Sequence, residues 1–276
     1  MTAIIPPHDV EDPTPQTPRY GLNVAATGPL ELPVRARAGG LRYQTVGVDL
    51  PEGFAVECST STVSFPDDCG DLVTGTPFVV QATLTAGSLG MPQQLIESRL
   101  LTRLRAGEWA VVERIFSEGT FGASPSLANN TPAATAVAAE PSILGGIGAL
   151  EEWLGARSGR AGVIHVPLVC ASRLLATGAI VRDGGGTWRT ALGHAVSFGN
   201  YAGKQPGGTA PAAGHTTIYI TGSTVVWRTP DSGLDFSPYR GNLNTSTNQI
   251  AAFVRREYVV THDGLVAAVD VTVGGE

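Results

Sequence analysis

The sequence predicts an α+β fold, on three observations. One helical pattern of roughly 25 residues, "QQLIESRLLTRLRAGEWAVVERIF", stands among many short β-branched runs. The runs are punctuated by 35 Gly and 19 Pro, the mark of many turns around short strands. Apolar residues make up 42% against 15% charged, which excludes a disordered chain and lets 276 residues bury a large core.

The elements follow in order. Residues 1–33 are Pro-rich with neither helical nor strand period, so free in solution they form an arm that becomes ordered by lying on a neighbour. "LRYQTVGVDL" (41–50) and "PFVVQATLT" (77–85) read as strands flanking a Gly/Pro/Asp/Ser-punctuated excursion. Residues 41–86 are therefore expected to form a two-stranded projection with an irregular tip.

Pro92 suits the first turn of the long helix, and Gly107 is a candidate kink. Leu95, Ile96, Leu100, Leu101, Leu104, Trp109, Val112 and Phe116 give three-and-four spacing. Glu97, Arg99, Arg103, Arg105, Glu108, Glu113 and Arg114 are assigned to the opposite, wetted face. At ~1.5 Å per residue the rod is about 38 Å long.

After a loop of small residues (117–142), a second helix is expected over 143–156, a buried strand at "AGVIHVP", and a third helix at "LVCASRLLATG" closed by Gly178. "IVRDGGGTWRTALGHAVSFGNYAG" reads as two strand pieces around a Gly-rich turn, and residues 203–215 as an exposed loop. "TTIYITGSTVVWRTP" is expected to be a hairpin bent at Gly222-Ser223. "NQIAAFVRREYVVTH" and "GLVAAVDVTV" form a closing pair with His262-Asp263-Gly264 at its turn.

No motif reports catalysis. His262 and Asp263 are neighbours on a strand and point to opposite faces, and no GxSxG elbow supplies a nucleophile. "RDGGGTW" matches neither a phosphate loop nor a dinucleotide fingerprint, so it reads as a turn. His8, His165, His194, His215 and His262 are scattered without metal spacing, and His165 reads as a packed strand residue. No enzyme, cofactor or metal is expected.

A formal charge of −6 argues against a chain whose main task is gripping phosphate backbones. Cys58, Cys69 and Cys170 form no CxxC, and an odd count fits free thiols in a reducing compartment; Cys58 and Cys69 flank one loop and could pair if oxidised, but free thiols are the expectation. No leader pattern opens the chain and no run of about 18 apolar residues exists to span a membrane. Lys204 is the single lysine.

Arm, long β projection, long helix, mixed α/β block and returning strands: this order resembles the Hong Kong 97-like capsid fold of tailed-phage major capsid proteins and encapsulin shells. "PFVVQATLTAGSLG" leading to "LLTRLRAGEWAVVERIFSEG" is similar to capsid proteins of actinobacterial phages. So are "GVIHVPLVCASRLLATGAIVRDGGGTWRTALGHAVSFGNYAG", "TTIYITGSTVVW" and "FVRREYVVTHDGLVAAVDV". The resemblance covers roughly residues 40–273.

It implies an N-arm (1–40), an E-loop (41–86), a P domain (87–142) with its spine helix at 91–117, an A domain (143–230), and strands at 231–276 returning to the P domain. The implied function is self-assembly into the pentamers and hexamers of an icosahedral head enclosing double-stranded DNA. Partners implied are further copies of the chain, a separate scaffolding protein, a portal and a decoration protein, and non-specifically packaged DNA, in a virion assembled in bacterial cytoplasm. An encapsulin compartment is the alternative. Subunit contacts are expected from Arg42, Phe54 and Phe65 on the E-loop, Trp109, Glu113 and Arg114 on the spine helix, and Tyr201 and Lys204 in the A domain. Some relatives cross-link through an E-loop Lys; residues 41–86 contain none, so a non-covalent shell is expected. Some relatives also carry a fused scaffold that a protease removes; residues 1–40 here are too short for one, so an uncleaved subunit is expected.

Overall fold

The computed structural model describes residues 18, 20–45, 72–87, 92–130, 134–236, 243–244 and 249–273. Its first elements are α1 (Leu22–Ala25), β1 (Thr27–Glu31), α2 (Ala36–Gly39), β2 (Leu41–Gln44), β3 (Leu72–Gly75), β4 (Phe78–Gly87) and α3 (Gln93–Glu118). The middle of the chain holds β5 (Thr135–Ala136), α4 (Ile143–Ser158), β6 (Val163–Pro167), α5 (Ala171–Ala176), β7 (Ile180–Arg182), β8 (Trp188–Thr190) and β9 (Ala195–Gly199). It closes with β10 (His215–Thr221), β11 (Thr224–Arg228), β12 (Asp235–Phe236), β13 (Leu243–Asn244), β14 (Gln249–His262) and β15 (Val266–Thr272).

Two sheets organise these elements. The first runs β1-β11-β14-β12, with β4 and β13 also paired to the long β14. The second runs β5-β15-β10-β6-β9-β8-β7. Strands β10 and β15 are buried on both faces and form a wall between two cores. Tyr219, Val266 and Ala268 point towards α3 and its core. Ile218, Ile220, Ala267, Val269 and Val271 alternate to the other side, against Ile147, Leu150 and Leu154 of α4.

The long helix forms as predicted, with differences at its ends. Pro92 is extended (φ −60°, ψ 145°) and caps the helix instead of entering its first turn. Gly119 stops it in the left-handed region (φ 67°), its N–H reaching the Ile115 carbonyl at 2.8 Å. The helix runs unbroken through Gly107. Glu108 and Glu113, assigned to the wetted face, are each only 4% exposed.

Strand pairing departs from the local hairpin reading in three places. Strand β2 pairs with β3 and not with β4, whose partner is β14 over ten residues, from Phe78↔Tyr258 to Gly87↔Gln249. The cause is burial: Phe78, Val80 and Ala82 supply an apolar face that α3 covers. Strands β10 and β11 are not a hairpin, and neither are β14 and β15. Instead β10 pairs with β15 in one sheet and β11 with β14 in the other. Gly222-Ser223 and His262-Asp263-Gly264 are thus adjoining corners where a two-stranded ribbon passes between sheets. Only the first half of the closing pair therefore joins the sheet beneath α3.

The Gly-rich turn joins β7 to β8, and three strand pieces stand where two were expected. Residues 20–33 belong to the stretch expected to lack regular structure on its own chain. They are ordered on it, because β1 pairs in parallel with the open edge of β11. Leu22, Leu32 and Ala36 are buried.

Candidate functional site

Arg42, on β2, is exposed, and the Arg114 and Lys204 side chains reach solvent, both bridging to Glu118 at 3.6 and 3.2 Å. Trp109, Glu113 and Tyr201 are buried within their own chain, so the contacts they make here are internal. Phe54 and Phe65, like Cys58 and Cys69, lie outside the described residues. Cys170 is a buried free thiol, which burial pushes up to about 11.

What the structure brings together instead is a set of polar groups under the buried face of α3. Leu100, Leu104, Val112 and Phe116 form an i, i+4 row, and Glu108 occupies its middle position. Its Oε2 accepts from Arg256 Nη1 and from the Tyr258 hydroxyl, each at 2.7 Å. Arg256 is 1% exposed, and its second fork bonds Asp231. Arg228 approaches Glu108 Oε1 at 3.6 Å, and Arg105 bonds Asp231 at 2.9 Å. A buried ion pair of this type is costly to break from one side, which fastens helix, β14 and the loop after β11 in one register.

Glu113 fastens two further segments. Oε1 accepts the Leu22 N–H at 3.0 Å and Oε2 the Asn200 N–H at 2.8 Å. Glycines flank both donors: a Cβ on Gly21 would stand 2.1 Å from Glu113 Oε1, and one on Gly199 2.8 Å from its Oε2. Burial pushes the carboxyl up to about 7, against the pull of the two N–H donors. No ammonium or guanidinium bridges Glu113 among the described residues, so nothing offsets its desolvation beyond those two bonds.

A third polar group sits where the sheets meet. His165 is fully buried, with Nδ1 3.2 Å from the Tyr201 hydroxyl and Nε2 2.9 Å from Thr221 Oγ1. Ser197 bonds the same Tyr201 hydroxyl, and Thr221 bonds Thr224. Burial pushes His165 down to about 3 and His262 to about 4. His262 Nδ1 accepts the Gly264 N–H at 3.2 Å, while Asp263 accepts from Ser223 and Leu265 N–H groups at 3.0 and 3.3 Å. His262 and Asp263 therefore each bind backbone N–H groups at the same corner, Asp263 also reaching Ser223, and do not orient each other. Among the described residues, no three His, Cys, Asp or Glu side chains converge as metal ligands, and no helix is long and apolar enough to cross a membrane.

These groups hold a scaffold in register, and their neighbours explain that without a substrate. Sequence reasoning set Glu108 and Glu113 on the wetted face, with Glu113 a subunit contact, and so missed their burial and their partners within the chain. The available signal was their spacing, since Glu108 continues the Leu100–Leu104 stripe and Glu113 follows Trp109 by one turn.

No family model and no curated protein matches the chain. Solved structures do. A capsid of a native GTA particle is similar at a TM-score of 0.58 and 12% identity, over 98% of this chain and 95% of that one. A structure from Mycobacterium phage Adephagia gives 0.54 at 13% identity, over 96% and 93%. The holo-SrpI encapsulin complex from Synechococcus elongatus PCC 7942 gives 0.52 at 15% identity, over 97% and 94%. The chain therefore has the α+β fold of phage capsid proteins, as the order of its elements implied.

Proposed function

We propose that this chain is the major capsid protein of a tailed double-stranded DNA phage, a non-catalytic subunit that tiles pentamers and hexamers of an icosahedral head. The observation that carries the reading is likeness over nearly the whole of both chains to the capsid of a GTA particle. A fold alone does not fix a function, so the surface must be compatible too. The β2–β3 pair is short and isolated, with Leu72 62% exposed, and two strands alone are marginal in water. Seating on an adjacent subunit would stabilise it, as an E-loop requires. The sole lysine lies on the loop after β9, engaged with Glu118, which supports a shell without Lys–Asn cross-links. In this reading residues 1–40 are the N-arm, α3 is the P-domain spine, and the α4–α5 block belongs to the A domain. A separate scaffolding protein, a portal, a decoration protein and packaged DNA are its partners, with assembly in host cytoplasm.

An encapsulin-type compartment is the second reading, favoured by the likeness to the holo-SrpI complex. Negative-stain microscopy of the expressed chain, with ultraviolet absorbance of particles from infected cells, tests both. Closed shells tens of nanometres across with a nucleic-acid spectrum support the phage head. Closed shells containing protein cargo and no DNA support the compartment. A monomer under all assembly conditions refutes both.

A further inference from the structure

A pocket of about 350 Å³ opens where the N-terminal segment meets the middle of α3. Arg105, Arg228 and Arg256 line it, with Glu108, Asp231 and Asn23. Three guanidinium groups there face two carboxyl groups. Each guanidinium carries five N–H donors. Their hydrogen bonds among the described residues are one from Arg105 to Asp231 and one each from Arg256 to Glu108 and Asp231. Arg228 sits 3.6 Å from Glu108, beyond hydrogen-bond length, and Arg256 Nε is buried without a partner. The pocket is thus short of acceptors and of negative charge.

The chain supplies both nearby. The segment before the pocket, residues 1–18, contains Asp9, Glu11 and Asp12 and no Lys or Arg. It enters the described structure at the pocket itself, where Asn23 Nδ2 donates to the Pro18 carbonyl at 2.9 Å. Asp12 lies six positions before Pro18, a reach of about 20 Å. We propose that the arginine pocket receives the carboxylates of Asp9, Glu11 and Asp12 from the arm of the same chain. Single carboxylates spaced along a chain fit better than a compact polyanion, because Glu108 and Asp231 repel a dense charge while each free guanidinium edge takes one carboxylate. The tether makes the contact intramolecular, at an effective concentration in the millimolar range, so weak individual pairs suffice. This inference is independent of the shell reading.

Hydrogen exchange of the full chain at low salt tests it. Amides of residues 8–13 should exchange about fivefold slower than in a free peptide. The protection should vanish in R228E, and in D9N/E11Q/D12N, which leaves every described residue unaltered. It should return in the R228E/E11R charge swap. Exchange at the free-peptide rate in the parent chain overturns the proposal, as does protection that survives both variants. Protection that rises with protein concentration assigns the pocket to a neighbour's arm and overturns the same-chain docking.

Discussion

Acidification should act on this fold through three buried groups of opposite sign. His165 and His262 are held neutral, at about 3 and about 4, against a usual 6.5. As pH falls below 6.5 the unfolded chain takes up protons that the fold refuses, so stability is lost until the folded values are reached. Glu113 runs the other way: at about 7 in the fold against a usual 4.5, it binds its proton first in the native state. Stability is therefore gained as pH falls from 7 towards 4.5. Between about pH 7.5 and about pH 5, each histidine removes about 2 kcal/mol and Glu113 returns about 2.4 kcal/mol. The parent chain should lose on the order of 1–2 kcal/mol over that interval from these groups, and Glu113→Gln about 4 kcal/mol. Groups shared by the two proteins, such as Asp263, cancel in the difference. Urea unfolding across this pH range, below the concentration at which particles form, measures it. A Glu113→Gln slope equal to or shallower than the parent's would refute the reasoning, whatever the variant does to absolute stability.

Other expectations follow from named contacts. Glu108→Ala leaves Arg256 buried with its main partner gone, and should cost about 3–5 kcal/mol by denaturant midpoint, far more than the double replacement Glu108→Leu/Arg256→Met. Gly146→Ala would place a methyl 2.4 Å from Val271 Cγ1, where α4 meets β15, and should lower stability by about 1–3 kcal/mol in thermal melts. Lys204→Ala breaks a bridge that is one-third exposed on the lysine side and should change stability by less than about 1 kcal/mol. In the proposed non-covalent shell, particles of either protein should fall apart in hot detergent to a single band at the mass of the free chain, 28.5 kDa; a ladder of covalent multimers would contradict that reading.

The sequence was legible wherever the determinant was local. The period of Ile96, Leu100, Leu104, Val112 and Phe116 reports the buried face of α3, because it follows from the geometry of one helix. The residues that decide how the helix is fastened were hidden by the same pattern. An acid in an apolar stripe reads as surface unless its partner is known. Arg256 is 148 positions from Glu108, and Asn200 is 87 positions from Glu113. Only the finished fold pairs them.

Strand pairing failed for a related reason. A Gly-Ser or Asp-Gly turn between apolar runs predicts a reversal of direction, and neither reversal occurs: the antiparallel ladder runs on from Thr221↔Val266 to Thr224↔His262. It cannot report that the second strand continues into a different sheet. Here that choice is made jointly: Gly222 donates to the Leu265 carbonyl and Asp263 to the Ser223 carbonyl, so each corner is completed by the other across some forty residues. The Asp263 carboxylate adds a bond to the Ser223 N–H at 3.0 Å, and a Cβ on Gly222 would fall 2.0 Å from it. A side chain at residue 222 would displace that carboxylate and uncouple the corners. The "HD" of the closing strands is therefore informative after all: His262 fills the junction beside Phe116, and Asp263 joins two corners that carry one ribbon from the sheet under the long helix into the wall between the two cores.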